Sequence, residues 1–114
     1  MKRQAARIEK KLEEISFLPD LVIGHFANPS LELVANVAEH YKAKSSIVFH
    51  HDCTETGISK YRIKENAGRV GAIGVRSIIE SHQVQQRLKL KELPFVCCSG
   101  APNDAVQAAK KVCD

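Results

Sequence analysis

Two short apolar runs in this chain each lead straight into histidine. The first reads Asp20-Leu21-Val22-Ile23-Gly24-His25-Phe26, and the second reads Ser46-Ile47-Val48-Phe49-His50-His51-Asp52. Between them lies one helix-length amphipathic segment, residues 31–41, with Leu31, Val34, Ala38 and Tyr41 on a single face. Strand, helix, strand makes a right-handed crossover, so the two strands run parallel and end at the same edge of a sheet. That edge is where open α/β sheets bind ligands. Residues far apart in sequence are thereby brought to one crevice: His25 from the first strand and His51 from the second.

The rest of the chain extends the alternation. Ala5, Ile8, Leu12 and Ile15 recur at helical spacing over residues 2–15. Phe17-Leu18-Pro19-Asp20 ends that helix, because proline disfavours helical backbone at the residue before it. After the first strand, Asn28 is placed to cap a helix and Pro29 to occupy its first position. The second strand spans residues 45–50, a polar loop covers 51–57, and a short helix covers 59–66. A third strand spans 70–75, where Gly71 and Gly74 permit close packing. Ser77 caps a helix over 78–90, with Glu80 completing a capping box. A fourth strand spans 94–98, Ser99-Gly100-Ala101-Pro102 turns, and Asn103 caps a last helix. Strict alternation of this kind predicts a single α/β domain over residues 1–114: a three-layer α/β/α arrangement around a parallel sheet of about four strands. No glycine-rich strand-to-helix fingerprint opens the chain.

Composition narrows the function classes. Lys and Arg total 17 against 13 Asp and Glu, and the excess gathers near the ends, at Lys2, Arg3, Lys10, Lys11, Lys110 and Lys111. Solvated helix faces account for it; the alternative is attraction to an anionic membrane or to nucleotide phosphates. Nucleic acid is disfavoured, because no aromatic residues interleave with the basic ones. No apolar stretch approaches the ~20 residues of a membrane span, and the charged N-terminus lacks a signal-peptide core. A cytoplasmic location, peripheral at the membrane in the alternative, is expected. The four cysteines form neither a disulfide framework nor a zinc spacing: Cys97-Cys98 are vicinal, and Cys53 and Cys113 stand apart. Neither a metal nor a cofactor is expected.

The strand ends hold the candidate site. His25 precedes a helix N-terminus whose free N–H groups favour an anionic group; its plain structural role is a hydrogen bond to the loop. His50-His51-Asp52 is the densest polar cluster. Strand alternation sends the two histidines to opposite sides, which makes them poor joint metal ligands and leaves open which one faces the crevice. One of them polarises or hydrogen-bonds a substrate, with Asp52 orienting it or contacting a hydroxyl. Arg76 suits a phosphate or carboxylate, Ser77 reads first as a cap, and Gly100 supplies a turn. His25, His51, Arg76 and Gly100 thus arrive at one rim.

These motifs, in this order, resemble the N-terminal domain of two-domain (GT-B fold) retaining glycosyltransferases. Pro19-Asp20-Leu21-Val22-Ile23-Gly24-His25-Phe26 resembles that family's "Pro-Asp-apolar-apolar-x-x-His-Phe" strand. Ile47-Val48-Phe49-His50-His51-Asp52 resembles its strand ending in "His-Asp" or "His-Gly". Val70-Gly71-Ala72-Ile73-Gly74-Val75-Arg76-Ser77 resembles its strand ending in a helix-opening serine, and Pro94 to Pro102 its closing "Pro-x-Gly-apolar" turn. The resemblance implies a Rossmann-like fold and transfer of a sugar from a nucleotide-sugar donor to an acceptor hydroxyl on a glycan, polysaccharide or lipid-linked sugar. It implies a catalytic role for His51, near the donor phosphates and transferred sugar. His25, Asn28, Asp52, Arg76, Ser77 and Gly100 become the substrate-binding set. The family's glycine-rich loop and donor domain have no counterpart here. The chain therefore matches the second half of an acceptor domain, inactive alone, with another copy or a partner chain covering its unpaired sheet edge. Two alternatives are a non-catalytic α/β binding module and a small phosphotransfer protein using Cys53 or a histidine; the latter lacks an early cysteine-bearing phosphate loop.

Overall fold

Proline and left-handed turns punctuate this chain, and the elements fall between them. In the computed structural model, which describes residues 2–97 and Lys110, helix α1 (Lys2–Glu14) ends just before Ser16, whose φ is 57°. Strand β1 (Leu21–His25) follows Pro19 and leads into α2 (Ala27–Tyr41). Asn28 keeps an extended backbone within that assignment, so the regular helix begins after it, and no side-chain cap forms at the assigned start. Lys42, in the left-handed conformation, closes α2 by donating its N–H back to Ala38 and Glu39. Strand β2 (Lys44–Val48), helices α3 (Glu55–Lys60) and α4 (Ile63–Ala67), strand β3 (Ala72–Val75), helix α5 (Ile78–Leu88) and strand β4 (Phe95–Val96) complete the order.

The four strands are parallel and lie in sequence order, β1-β2-β3-β4. Leu21 pairs with Lys44 and His25 with Val48, Ser46 with Ala72, and Gly74 with Phe95. Every crossover advances in the same direction, so right-handed connections place the intervening helices on one face. The core agrees. Leu31 and Val34 of α2, Ile63 and Ala67 of α4, and Val84 and Leu88 of α5 gather over Ile47, Ile73 and Val75. Leu31, Ile47, Ile63 and Val75 are fully buried, each worth roughly 2 kcal/mol relative to exposure. Gly24 is required for α2 to seat, because a Cβ there would lie 2.3 Å from Val34 Cγ2. The opposite face carries Ile23, Ser46 and Ala72, which lie outside that core; Ile23 is 53 % exposed at the outer strand, whereas Ser46 on the central strand is buried. The fold is the expected α/β class, a four-strand parallel sheet with helices compatible with a Rossmann-like α/β/α arrangement; the crossover helices between the strands lie on one side of the sheet.

Several boundaries differ from expectation. Strand β2 stops at Val48 rather than at residue 50; Phe49 still bonds to β3, and the backbone turns at His51, where φ is 62°. The single helix expected over 59–66 is instead α3 and α4, separated at Arg62, where φ is 53°. Thr54 caps α3, its Oγ1 accepting from Gly57 N at 3.0 Å. Helix α5 ends two residues early, at the left-handed Lys89. The far end of the fourth strand, the turn containing Gly100 and the last helix lie outside the described residues.

One polar clamp ties the helical layer together. Arg69 donates to both carboxylate oxygens of Glu39, at 2.9 and 2.6 Å, to Asn36 Oδ1 at 2.7 Å and to Asn66 Oδ1 at 2.6 Å. The same guanidinium holds the Glu39 carboxyl below the usual carboxylate range. Among the described residues no helix is long and apolar enough to cross a membrane.

Candidate functional site

Parallel register carries the ends of β1, β2 and β3 to one edge, and the side chains meet there. His25 is the last residue of β1. Beyond β2, Phe49 still donates to Gly74 O at 2.8 Å, so the chain stays beside β3 before it turns. His50 then directs its ring between the flanking strand ends. Its Nε2 lies 3.0 Å from His25 Nδ1, and its Nδ1 lies 3.2 Å from Arg76 Nη1. The Phe26 ring stacks on it, with centroids 4.2 Å apart and planes 20° from parallel.

Two carboxylates fix the backbone around this cluster. Asp52 Oδ1 accepts from His50 N at 3.0 Å, and its Oδ2 accepts from Asn28 N at 2.9 Å, which joins the loop after β2 to the start of α2. Glu80 is 2 % exposed. Its Oε1 accepts from Arg76 N at 2.7 Å, and its Oε2 accepts from His51 N. Ser77 Oγ accepts from Glu80 N at 3.1 Å, as expected of an N-cap. The reciprocal arm of the predicted capping box is redirected: the Glu80 carboxylate reaches past Ser77 and binds the ends of β2 and β3 together.

His51 occupies a left-handed conformation, φ 62°, uncommon outside glycine. Its side chain is 63 % exposed, with Nδ1 3.3 Å from Glu80 Oε2. That carboxylate favours the tautomer with the proton on Nδ1, which leaves Nε2 as an outward acceptor. His50 is held below the ordinary histidine value of 6.5, first by burial and then by the positive charge of Arg76 and by His25; Asp52 and Glu80 oppose the shift but do not cancel it.

The residues read from the sequence therefore separate into groups. His25 and Arg76 come together, with His50 between them. Asn28 and Asp52 are joined by a backbone hydrogen bond, and the Asn28 side chain reaches the Tyr61 hydroxyl. Ser77 acts as a helix cap, and His51 stands on the rim, clear of the His25–His50 contact. Gly100 lies outside the described residues. The bridging place of His50, the stacked Phe26 and the two-strand clasp of Glu80 are not legible in the sequence. Phe26 follows directly on the histidine, and Glu80 carried a capping signal; neither signal distinguishes a rim role from a local one. Cys53 is buried and its thiol is pushed up to about 11, so it is a poor nucleophile at neutral pH. Among the described residues no group of three His, Cys, Asp or Glu side chains is placed to hold a metal ion. The rim can offer hydrogen-bond donors and positive charge to an oxygen-rich ligand, with one exposed imidazole beside a buried carboxylate. No protein-family model, curated protein or solved structure matches this chain.

Proposed function

We propose that this chain is the acceptor-side part of a retaining glycosyltransferase, and that its strand-end rim is one wall of the cleft in which a nucleotide-sugar donor meets an acceptor hydroxyl. The observation that carries this reading is the direct contact of His25, His50 and Arg76 at the ligand-binding edge of a sequential parallel sheet. In this reading His51 is the catalytic histidine. It is exposed, oriented by Glu80, and presents the acceptor Nε2 to a hydroxyl of the transferred sugar. His25 and Arg76 contact acceptor or phosphate oxygens, where preorganised donors stabilise developing negative charge. Asn28, Asp52 and Ser77 hold the loops that frame the cleft.

A second nucleotide-binding domain supplies most of the donor contacts, and a further strand covers the outer edge of β1. A cytoplasmic location, with the basic residues of α1 facing an anionic membrane, belongs to the same reading.

Titration of the isotope-labelled chain with a uridine diphosphate sugar, followed by amide NMR, tests it. Millimolar binding with shifts at His25, His51 and Arg76 is expected. Micromolar binding by the chain alone would instead mark a self-sufficient binding module, and shifts confined to other residues would overturn the site. In a complete two-domain enzyme, His51→Ala should lower turnover more than His25→Ala; equal losses would refute the role given to His51.

A further inference from the structure

The rim contains a chain of hydrogen bonds whose direction can be deduced. A guanidinium has five N–H donors and no acceptor, so the Arg76 Nη1 contact at 3.2 Å requires His50 Nδ1 to accept. A neutral His50 that accepts at Nδ1 carries its proton on Nε2. That Nε2–H lies 3.0 Å from His25 Nδ1, which must therefore accept in its turn. A neutral His25 that accepts at Nδ1 carries its own proton on Nε2. His25 is exposed, so this last N–H is available to a ligand.

We infer that Arg76 is a positioning residue: it locks His50, and through it His25, into the Nε2–H tautomer, so that the rim presents a neutral histidine donor to a ligand oxygen. The charged groups around His50 are consistent with one protonation state. His25 faces it from the end of β1, Arg76 from the end of β3, Asp52 from the loop after β2 and Glu80 from α5. Both carboxylates already accept backbone N–H groups, Asp52 from His50 and Asn28 and Glu80 from His51 and Arg76. Protonating His50 would turn its Nδ1–H against the guanidinium, donor against donor and charge against charge. Acid therefore opens the chain at the Arg76–His50 link. The ligand class that fits is an oxygen acceptor, a phosphate or a sugar hydroxyl. Only that last step rests on the proposed function; the tautomer lock is a property of the free chain.

Two-bond 1H–15N correlation spectra of the full labelled chain, without ligand at pH 7.5, test the lock. Histidine Nδ1 of both residues is expected to give an acceptor-type signal and Nε2 a protonated one, with a single tautomer at each site. Arg76→Leu should restore a tautomer mixture at His50, and Arg76→Lys, which keeps a charged donor, should reduce that mixing. Finding either histidine with its proton on Nδ1, or as imidazolium, would overturn the inference. So would an Arg76→Leu chain with unchanged tautomers. If Arg76→Leu does not fold, the wild-type tautomers decide alone. A locked pair in a chain that binds no nucleotide sugar would retain this inference while refuting the proposed function.

Discussion

Two arginine-centred clusters in this molecule are built from similar parts and do different work. Around Arg69, donors meet oxygen acceptors: Glu39 takes two bonds, and Asn36 and Asn66 take one each. Around Arg76, Asp52 and Glu80 accept backbone N–H groups, and Nη1 of the guanidinium lies 3.2 Å from an imidazole nitrogen of His50. The first cluster ties α2 to the end of α4. The second leaves an exposed histidine at the end of a hydrogen-bond chain, at the edge where parallel sheets take ligands. The first is a closed charge pair; the second ends in an exposed imidazole.

The comparison can be broken first at Glu80, the group that holds the second cluster in place. Glu80→Ala removes a buried acceptor from the N–H groups of both His51 and Arg76. A loss of about 3 kcal/mol in urea unfolding is expected, because two orphaned donors each carry a desolvation penalty. Glu80→Gln retains one acceptor oxygen and should recover part of the loss. If Glu80→Ala unfolds at the wild-type midpoint, the carboxylate does not clasp the strand ends.

Arg69→Ala should cost less, about 1 kcal/mol, because Glu39 is 54 % exposed and water screens the pair. It should leave the histidine signals of the rim unmoved. Coupled changes at His25 or His50 would mean that the two clusters are one network.

The smallest effect is on the pH dependence of stability. His50 is held below 6.5 in the folded chain, so between that value and its folded midpoint the unfolded chain binds more protons. Its contribution to stability is therefore full above the unfolded value, declines as pH falls through this window, and is constant below it. His50→Gln should remove that part of the slope. A slope identical in the variant would show that His50 does not titrate differently on folding.

Most of the fold was legible because alternation, proline and capping residues act locally. Leu31, Val34 and Ala38 gave the buried face of α2, and Ser77 gave the start of α5. The site was legible only to its elements. Alternation sends successive residues to opposite sides only while the backbone stays extended, and it stops at Val48. Beyond that point His51 is left-handed and the His50 ring is held by His25, Arg76 and Phe26, so no strand rule could choose between His50 and His51. Glu80 is a similar case. A serine followed three residues later by glutamate predicts a local reciprocal cap, but the carboxylate found a second partner across 29 residues of chain, on the neighbouring strand end. Long-range pairing of that kind depends on register, which local sequence patterns do not encode.

That the three strand ends form one coupled unit centred on His50 is tested most directly by the NMR titration midpoint of His50. The measurement is made in the wild type, in Arg76→Leu and in His25→Ala. The expected result is a wild-type midpoint below 6.5 that rises in both variants, more for Arg76→Leu than for His25→Ala. A wild-type midpoint at or above 6.5, or a midpoint that neither variant moves, would contradict the coupling.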